Sequence, residues 1–143
     1  MEVLQVYWLV FNVNLVTNSV PAITFEAPGD LMYAARIGLL PFEKSPSLDE
    51  FLSKLPIYHF GNDGDPIFLG QCQGAVSACY WGGYAMESKC HVGKVCMYKA
   101  EKSADIRNHG IETIKKLIED GQVEECLVQT LCTDCESWSF ELK

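Results

Sequence analysis

Ile57-Tyr-His-Phe-Gly-Asn-Asp-Gly-Asp-Pro-Ile-Phe-Leu-Gly70 begins as an apolar, aromatic run with the composition of a buried strand. It breaks at Gly61-Asn-Asp-Gly64, where the residue types favour a turn. Asp65 follows at once, and Pro66 stiffens the chain behind it. A carboxylate on a stiff loop at the end of a buried strand is where α/β enzymes seat the acid that orients a histidine. Asp65 is therefore the first candidate site residue, and it needs a histidine and a nucleophile from elsewhere.

Upstream, Pro21–Ala27 reads as a short strand between the breakers Asn18-Ser19 and Pro28-Gly29. Asp30 is placed to cap a helix over Leu31–Leu39, with Leu31, Ala34, Ala35 and Gly38 on one face. Pro41–Ser47 reads as a loop. Leu48, Phe51, Leu52 and Leu55 then repeat at helical spacing, entered by Ser47 with Glu50 as a capping box and ended by Pro56. Strand, helix, helix, strand is the order of an α/β fold with a parallel sheet. Downstream, Gln71–Ala100 carries Cys72, Cys79, Cys90 and Cys96 among glycines, the composition of a loop-rich, Cys-rich insertion tied by disulfides. Within it, Lys94–Lys99 is expected as a strand. Beyond Asn108-His109-Gly110, a helical stripe of Ile111, Ile114, Leu117 and Ile118 stops at Asp120-Gly121. The tail carries Cys126, Cys132 and Cys135.

Met1–Val16 is apolar but interrupted by Gln5, Asn12 and Asn14. A membrane span needs roughly 20 apolar residues, and a signal peptide opens on basic residues where this segment has Glu2. It reads as a β-like segment. The 143 residues are 48% hydrophobic, enough for the core of one domain. A net charge of −8 argues against nucleic acid as a partner, because phosphate binding needs a basic face. Seven cysteines favour an oxidising, lumenal or secreted compartment, and the odd number leaves one thiol free or paired outside the chain.

The histidines are His59, His91 and His109. His59, inside the aromatic strand, reads as a core side chain, and His91, among glycines, as a surface loop residue. His109 stands at the mouth of a helix, where a loop side chain can reach a strand end. Asp65 followed by His109 keeps the acid-then-histidine order of α/β-hydrolases, whose nucleophilic serine precedes both in Gly-X-Ser-X-Gly. The serines before Asp65 are Ser19, Ser45, Ser47 and Ser53, and none has glycines two positions to either side. Acyl transfer by these residues alone has no attacking group. Cys132-Thr-Asp-Cys135 is a lone Cys-X-X-Cys pair, with Cys90-His91 far off in sequence, so disulfides are expected and a structural zinc is the alternative. Asp63 and Asp134 lack calcium-loop spacing. No cofactor or metal is expected.

Ile23-Thr-Phe-Glu-Ala-Pro-Gly-Asp30, Tyr58-His-Phe-Gly-Asn62, Asp65-Pro-Ile67, Gly70-Gln-Cys72, Gly82-Gly-Tyr-Ala-Met-Glu87, Cys90-His-Val-Gly-Lys94 and Asn108-His-Gly110 resemble, in order, the autophagy-related lipases of fungi, which are class 3 α/β-hydrolases. The resemblance implies a partial α/β-hydrolase, class 3 lipase-like, occupying residues 17–143 as the C-terminal part of that domain. It implies a serine esterase acting on triacylglycerol and phospholipid at vesicle membrane surfaces, reached through multivesicular bodies and working in the vacuolar lumen. Carried over by motif, Asp65 is the triad acid and His109 the triad base. The family's insertion matches Cys72, Cys79 and Cys90, and its C-terminal group matches Cys126, Cys132 and Cys135.

The family's membrane anchor, early strands and serine elbow have no counterpart here, and residues 1–16 do not match it. Back-translated and read one base earlier, Met1–Leu9 permits a Gly- and Ala-rich helix like that of the elbow, so those residues are expected to be foreign to the domain. The chain by itself is expected to be inactive, with parallel strands left open at an edge. The alternative is a catalytically inactive lumenal remnant that binds lipid or protein through its N-terminus and Tyr80, Trp81 and Tyr84.

Overall fold

The computed structural model describes residues 20–36, 38–40, 46–71, 88–100, 104–120 and 125–133. Met1–Val16, the aromatics Tyr80, Trp81 and Tyr84, Cys72, Cys79, Cys135 and Asp134 lie outside the described residues, as does most of the expected insertion. Strands β1 (Ala22–Phe25), β2 (Ile57–Asn62) and β3 (Lys94–Tyr98) run parallel, and β4 (Leu127–Val128) returns antiparallel on β3. The sheet order is β1-β2-β3-β4. The crossover from β1 to β2 holds α1 (Leu31–Arg36) and α2 (Pro46–Lys54), as the strand–helix–helix–strand order implies.

Helices cover both faces of the sheet. Ala22 and Ile57, paired in register, join Leu31, Ala34, Leu48, Leu52 and Leu55 in one core. On the other face Phe60 and Tyr98 meet Ile114 and Leu117 of α3 (Ile111–Glu119). That stripe is narrower than its sequence suggests, since Ile111 is 61% and Ile118 43% exposed. β1 is the edge strand among the described residues, and Ile23 and Phe25, on the face that Phe60 shares, are 56% and 43% exposed.

Element ends differ from the sequence reading for local reasons. α1 stops at Arg36 rather than Leu39 because Gly38, at a φ of 72°, ends it: Gly38 N–H bonds Ala35 O and Leu39 N–H bonds Ala34 O. That pair of bonds is a Schellman cap, so Gly38 terminates the helix instead of lying on its face. α2 starts at Pro46, a residue with no N–H to leave unpaired at a helix start. Ser47 therefore lies inside the helix instead of at its entry, and Glu50 pairs with Lys54 one turn on, at 2.6 Å. β2 continues through Gly61 and Asn62, which moves the turn to Asp63-Gly64.

His91 corrects the sequence reading. It is buried, with Nε2–H donating to Ala27 O at 3.1 Å and its ring 4.9 Å from that of His59. It is inside because residues 88–92 lie along the corner between β1 and α1. Gly29 N–H bonds Ser88 O, Leu31 N–H bonds Cys90 O, and Asp30 Oδ1 accepts Val92 N–H. A Cβ on Gly29 would meet Cys90 N at 2.7 Å, so only glycine lets the two segments approach. His59 is the core residue expected. Its Nε2–H donates to Val92 O at 2.7 Å, which leaves Nδ1 to accept the Thr24 hydroxyl at 2.9 Å.

Two disulfides, Cys90–Cys132 and Cys96–Cys126, hold the C-terminal stretch. They flank the two residues of β4, whose few ladder bonds would not keep it in place alone. Gln129 Oε1 also accepts His91 N–H, and Asp49 on α2 accepts Leu131 N–H. Replacing Cys96 and Cys126 together with alanine is expected to cost between about 3 and 4 kcal/mol, measured by denaturant titration. A smaller cost would mean that the unfolded chain is already constrained there.

Burial holds both His59 and His91 down at about 4 against an ordinary 6.5, with the neighbouring His59 adding to the effect on His91. Between those values the unfolded chain binds protons that the folded chain does not. Their contribution to stability is therefore complete above about pH 6.5 and lost as the pH falls to about 4. The melting temperature is expected to drop by about 10 °C between about pH 7 and pH 4.5, the loss from the two histidines outweighing the opposite contribution of the one carboxyl, Glu26, that is raised to about 10. A flat profile would mean that the rings are already protonated in the fold.

Candidate active site

The C-terminal ends of β1 and β2 and the turn before α3 meet at one point, the rim of a parallel sheet where α/β proteins place their chemistry. Asn62, the last residue of β2, is fully buried. Its Nδ2 donates to Glu26 Oε1 at 2.6 Å and to Asn108 O at 3.0 Å, and its Oδ1 accepts Gly64 N–H at 3.0 Å. One amide thus joins the end of β1, its own turn and the segment that carries His109. Asn108 returns the contact through Nδ2 to Gly64 O at 3.0 Å, and Asp105 N–H reaches the same carbonyl. A Cβ on Gly64 would sit 2.6 Å from Asn108 Nδ2, so this docking requires glycine. Asp63, on the same turn, fastens β3: its N–H bonds Tyr98 O and its Oδ1 accepts Ala100 N–H.

Asp65 and His109 come together at this point. His109 Nδ1 lies 2.9 Å from Asp65 Oδ2 and donates its hydrogen to the carboxylate, the bond that in a neutral ring selects the tautomer with Nε2 as acceptor. Asp65 is fully buried while the His109 side chain is 34% exposed. Asp65 Oδ1 accepts Ile67 N–H at 2.8 Å, so the residue closes its own turn and cannot swing away. Burial acts to raise Asp65, but His109, the neighbouring Glu26 and the Ile67 backbone N–H outweigh it and hold the carboxyl below its usual range. A short 3₁₀ turn, Ile106–His109, delivers the histidine. Asp105 caps that turn by accepting Arg107 N–H, and α3 begins three residues after Asn108, at Ile111.

Glu26 completes the cluster. It is buried just past β1, at a φ of 50°. That left-handed conformation costs a non-glycine residue roughly 1 kcal/mol. Burial first, then hydrogen bonding to and repulsion by Asp65, push its carboxyl up to about 10, so it is uncharged at neutral pH. Oε1 is bound by Asn62, and Oε2 makes no hydrogen bond of regular geometry among the described residues. Glu26, Asp65 and His109 each offer one nitrogen or oxygen within 4.8 Å of the others. A cation there would have to displace the His109–Asp65 bond and strip the proton from Nδ1, so these donors fit a proton relay better than a metal.

His59 and His91, the other histidines, lie in the core rather than at this rim. Cys132 is bonded to Cys90, which removes both from the zinc alternative. Of the upstream serines, Ser53 donates to Glu50 O inside α2, away from the cluster, while Ser19 and Ser45 lie outside the described residues. No hydroxyl among the described residues is bonded to His109. The residues that sequence reasoning passed over are Glu26, Asn62 and Asn108. A glutamate interrupting the apolar run of β1 just before Pro28-Gly29 was the available signal for the first. Asn62 and Asn108 carry turn composition and nothing that separates a tether from an ordinary loop residue.

No family model matches the chain, and no solved structure matches it. Among curated proteins it is similar to one from Candida glabrata named "Putative lipase ATG15", 42% identical over 131 residues. Proteins of the same name from Eremothecium gossypii and Saccharomyces cerevisiae are 41% and 39% identical over 130 residues. Each match covers 87% of this chain but only 25%, 23% and 24% of the respective relative. The chain thus spans about a quarter of the length of these relatives, and over that quarter the resemblance read from the motifs holds.

Replacing Asn62 with alanine leaves Glu26 Oε1 and the Gly64 N–H unpaired in the interior. The expected cost is about 3 kcal/mol of stability in denaturant titration, together with loss of the low-field Nδ1 proton of His109 in NMR spectra. A stable variant that keeps that proton would mean that the His109 segment docks without the amide.

Proposed function

We propose that this chain, a partial relative of the fungal lipases of that name, is the acid-and-histidine part of a serine-type carboxylic ester hydrolase with a class 3 α/β-hydrolase fold. The observation that carries the reading is the 2.9 Å bond from His109 to a buried Asp65 at the end of a parallel strand, with the imidazole partly open to solvent. In this reading Asp65 holds His109 in the tautomer whose Nε2 is free and stabilises the imidazolium once it forms. His109 takes the proton from a serine as it attacks the ester carbonyl, then returns it to the leaving alkoxide. Within residues 1–143 there is no Gly-X-Ser-X-Gly, so the serine and its backbone oxyanion donor come from outside this sequence.

The substrates proposed are triacylglycerol and phospholipid, met at the surface of vesicles within the autophagy pathway and the vacuolar lumen. The two disulfides support an oxidising lumen. No described helix is long and apolar enough to cross a membrane. A second reading, a lipid- or protein-binding remnant without turnover, draws on the exposed Ile23 and Phe25 at the edge of the sheet. Liposome flotation without hydrolysis would favour it.

The chain alone is expected to hydrolyse a short-chain nitrophenyl ester no faster than background, and serine-directed inhibitors should not change that rate. Inhibitor-sensitive turnover would overturn the assignment of the nucleophile. In a chimera that carries residues 22–133 in place of the matching segment of the Saccharomyces cerevisiae relative, ester hydrolysis is expected. Asp65→Asn or His109→Ala in that chimera should reduce kcat by about 10³- to 10⁴-fold. A chimera indifferent to both substitutions would sink the reading.

A further inference from the structure

We propose that Glu26 is a positioning residue for the acid–histidine pair: as a neutral carboxylic acid it donates its O–H to Asp65 and holds that carboxylate toward His109. This rests on the reading of Asp65 and His109 as the catalytic acid and base.

The geometry leads there in steps. Glu26 Oε1 is taken by Asn62 Nδ2–H at 2.6 Å, which fixes the plane of the carboxyl group. Oε2 is then left buried without a regular hydrogen bond, in a residue that brings one oxygen within 4.8 Å of a donor atom of Asp65 and of His109. Two buried carboxylates cannot both stay ionised beside a single neutral imidazole, so one of them keeps its proton. Asp65 is the one suited to be ionised. It has two donors of its own, Ile67 N–H on Oδ1 and His109 Nδ1–H on Oδ2, whereas Glu26 has Asn62 alone. The proton therefore stays on Glu26, and the carboxylate beside it that can accept a further hydrogen bond is Asp65.

Three donors on one carboxylate settle its rotation about the last side-chain bond. They also spread its charge, so the pair meets a developing imidazolium with one negative charge rather than two. The backbone strain fits such a role. A glutamate at a φ of 50° gives up conformational energy that a glycine would not, and at functional sites such strain is retained where the side chain's placement repays it.

The chain as it stands allows a direct test by infrared and NMR spectroscopy. In the wild-type chain, the infrared spectrum at neutral pH is expected to contain the C=O stretch of a protonated carboxylic acid, and Glu26→Gln is expected to abolish it. Because glutamine offers an N–H where Glu26 offers an O–H, the low-field Nδ1 proton of His109 should survive in Glu26→Gln. In Glu26→Leu, which fills the space without a donor, that proton should exchange with water about tenfold faster. Absence of the acid band from the wild-type chain overturns the proposal, and so does an unchanged exchange rate in a folded Glu26→Leu chain. Should Glu26→Leu fail to fold, survival of the His109 proton in Glu26→Gln supports the donor role, and its loss there overturns it. Failure of the underlying reading looks different: the His109 proton would then be missing from the wild-type chain or indifferent to Asp65→Asn, whatever Glu26 does.

Discussion

A primary amide sealed from water must find partners for both its hydrogens and for its oxygen, and Asn62 finds them on three separate segments. Each partner belongs to a different piece of chain: the residue after β1, the turn after β2, and the carbonyl just before His109. None of these could move without leaving a buried group unpaired, at a cost of about 1 to 3 kcal/mol each. The relative placement of Glu26, Asp65 and His109 is therefore set mainly by a residue that does none of the chemistry. Asp65 sits where it does because Asn62 O accepts its N–H and because its own Oδ1 closes the following turn.

The opposite flank of the sheet is held by covalent bonds instead. β4 is two residues long and could not hold a register by its ladder, so Cys96–Cys126 and Cys90–Cys132 bracket it. Cys90 is also a neighbour of His91, which packs against His59 and against Phe68, four residues or fewer from the Asp65 turn. The two neutral histidines thus link the disulfide-bound flank to the strand that ends in the site. In such an interior, protonating a ring is a structural event, because burial opposes the charge and outweighs the carbonyl that each imidazole faces and, at His91, the nearby Asp30.

Legibility in the sequence followed the range of the forces involved. The parallel crossover, α2 and α3, and β3 were readable because their apolar periodicity is local and strong: Leu48, Leu52 and Leu55 announce a buried face with no knowledge of what covers it. Asp65 and His109 were readable as candidates because a strand end and a helix mouth are recognisable, and their order matched a known arrangement. His91 was misread because its burial depends on Gly29 letting a distant segment lie against it, a contact written in no local pattern. Gly38 was misread for the converse reason. Its position fits a helix face, and only the backbone bonds of Gly38 and Leu39 to the preceding turn reveal a cap. Asn62, Asn108 and Glu26 were passed over because their roles consist of long-range hydrogen bonds between residue types that are ordinary in turns.

The pair at the centre is asymmetric, and the asymmetry follows from how the chain delivers each member. Asp65 lies on a turn braced from below by Asn62 and in front by Ile67, and it is dry. In a dry site its single charge is felt strongly by the imidazole and weakly by anything in solvent. His109 arrives from the other side on a one-turn 3₁₀ segment that ends at Gly110, and a third of its side chain stays open. A longer helix there would carry the ring away from the rim, while a fully buried ring could not exchange a proton with a reacting group. A dry acid behind a partly open histidine is the arrangement that general-base chemistry requires of its inner two members.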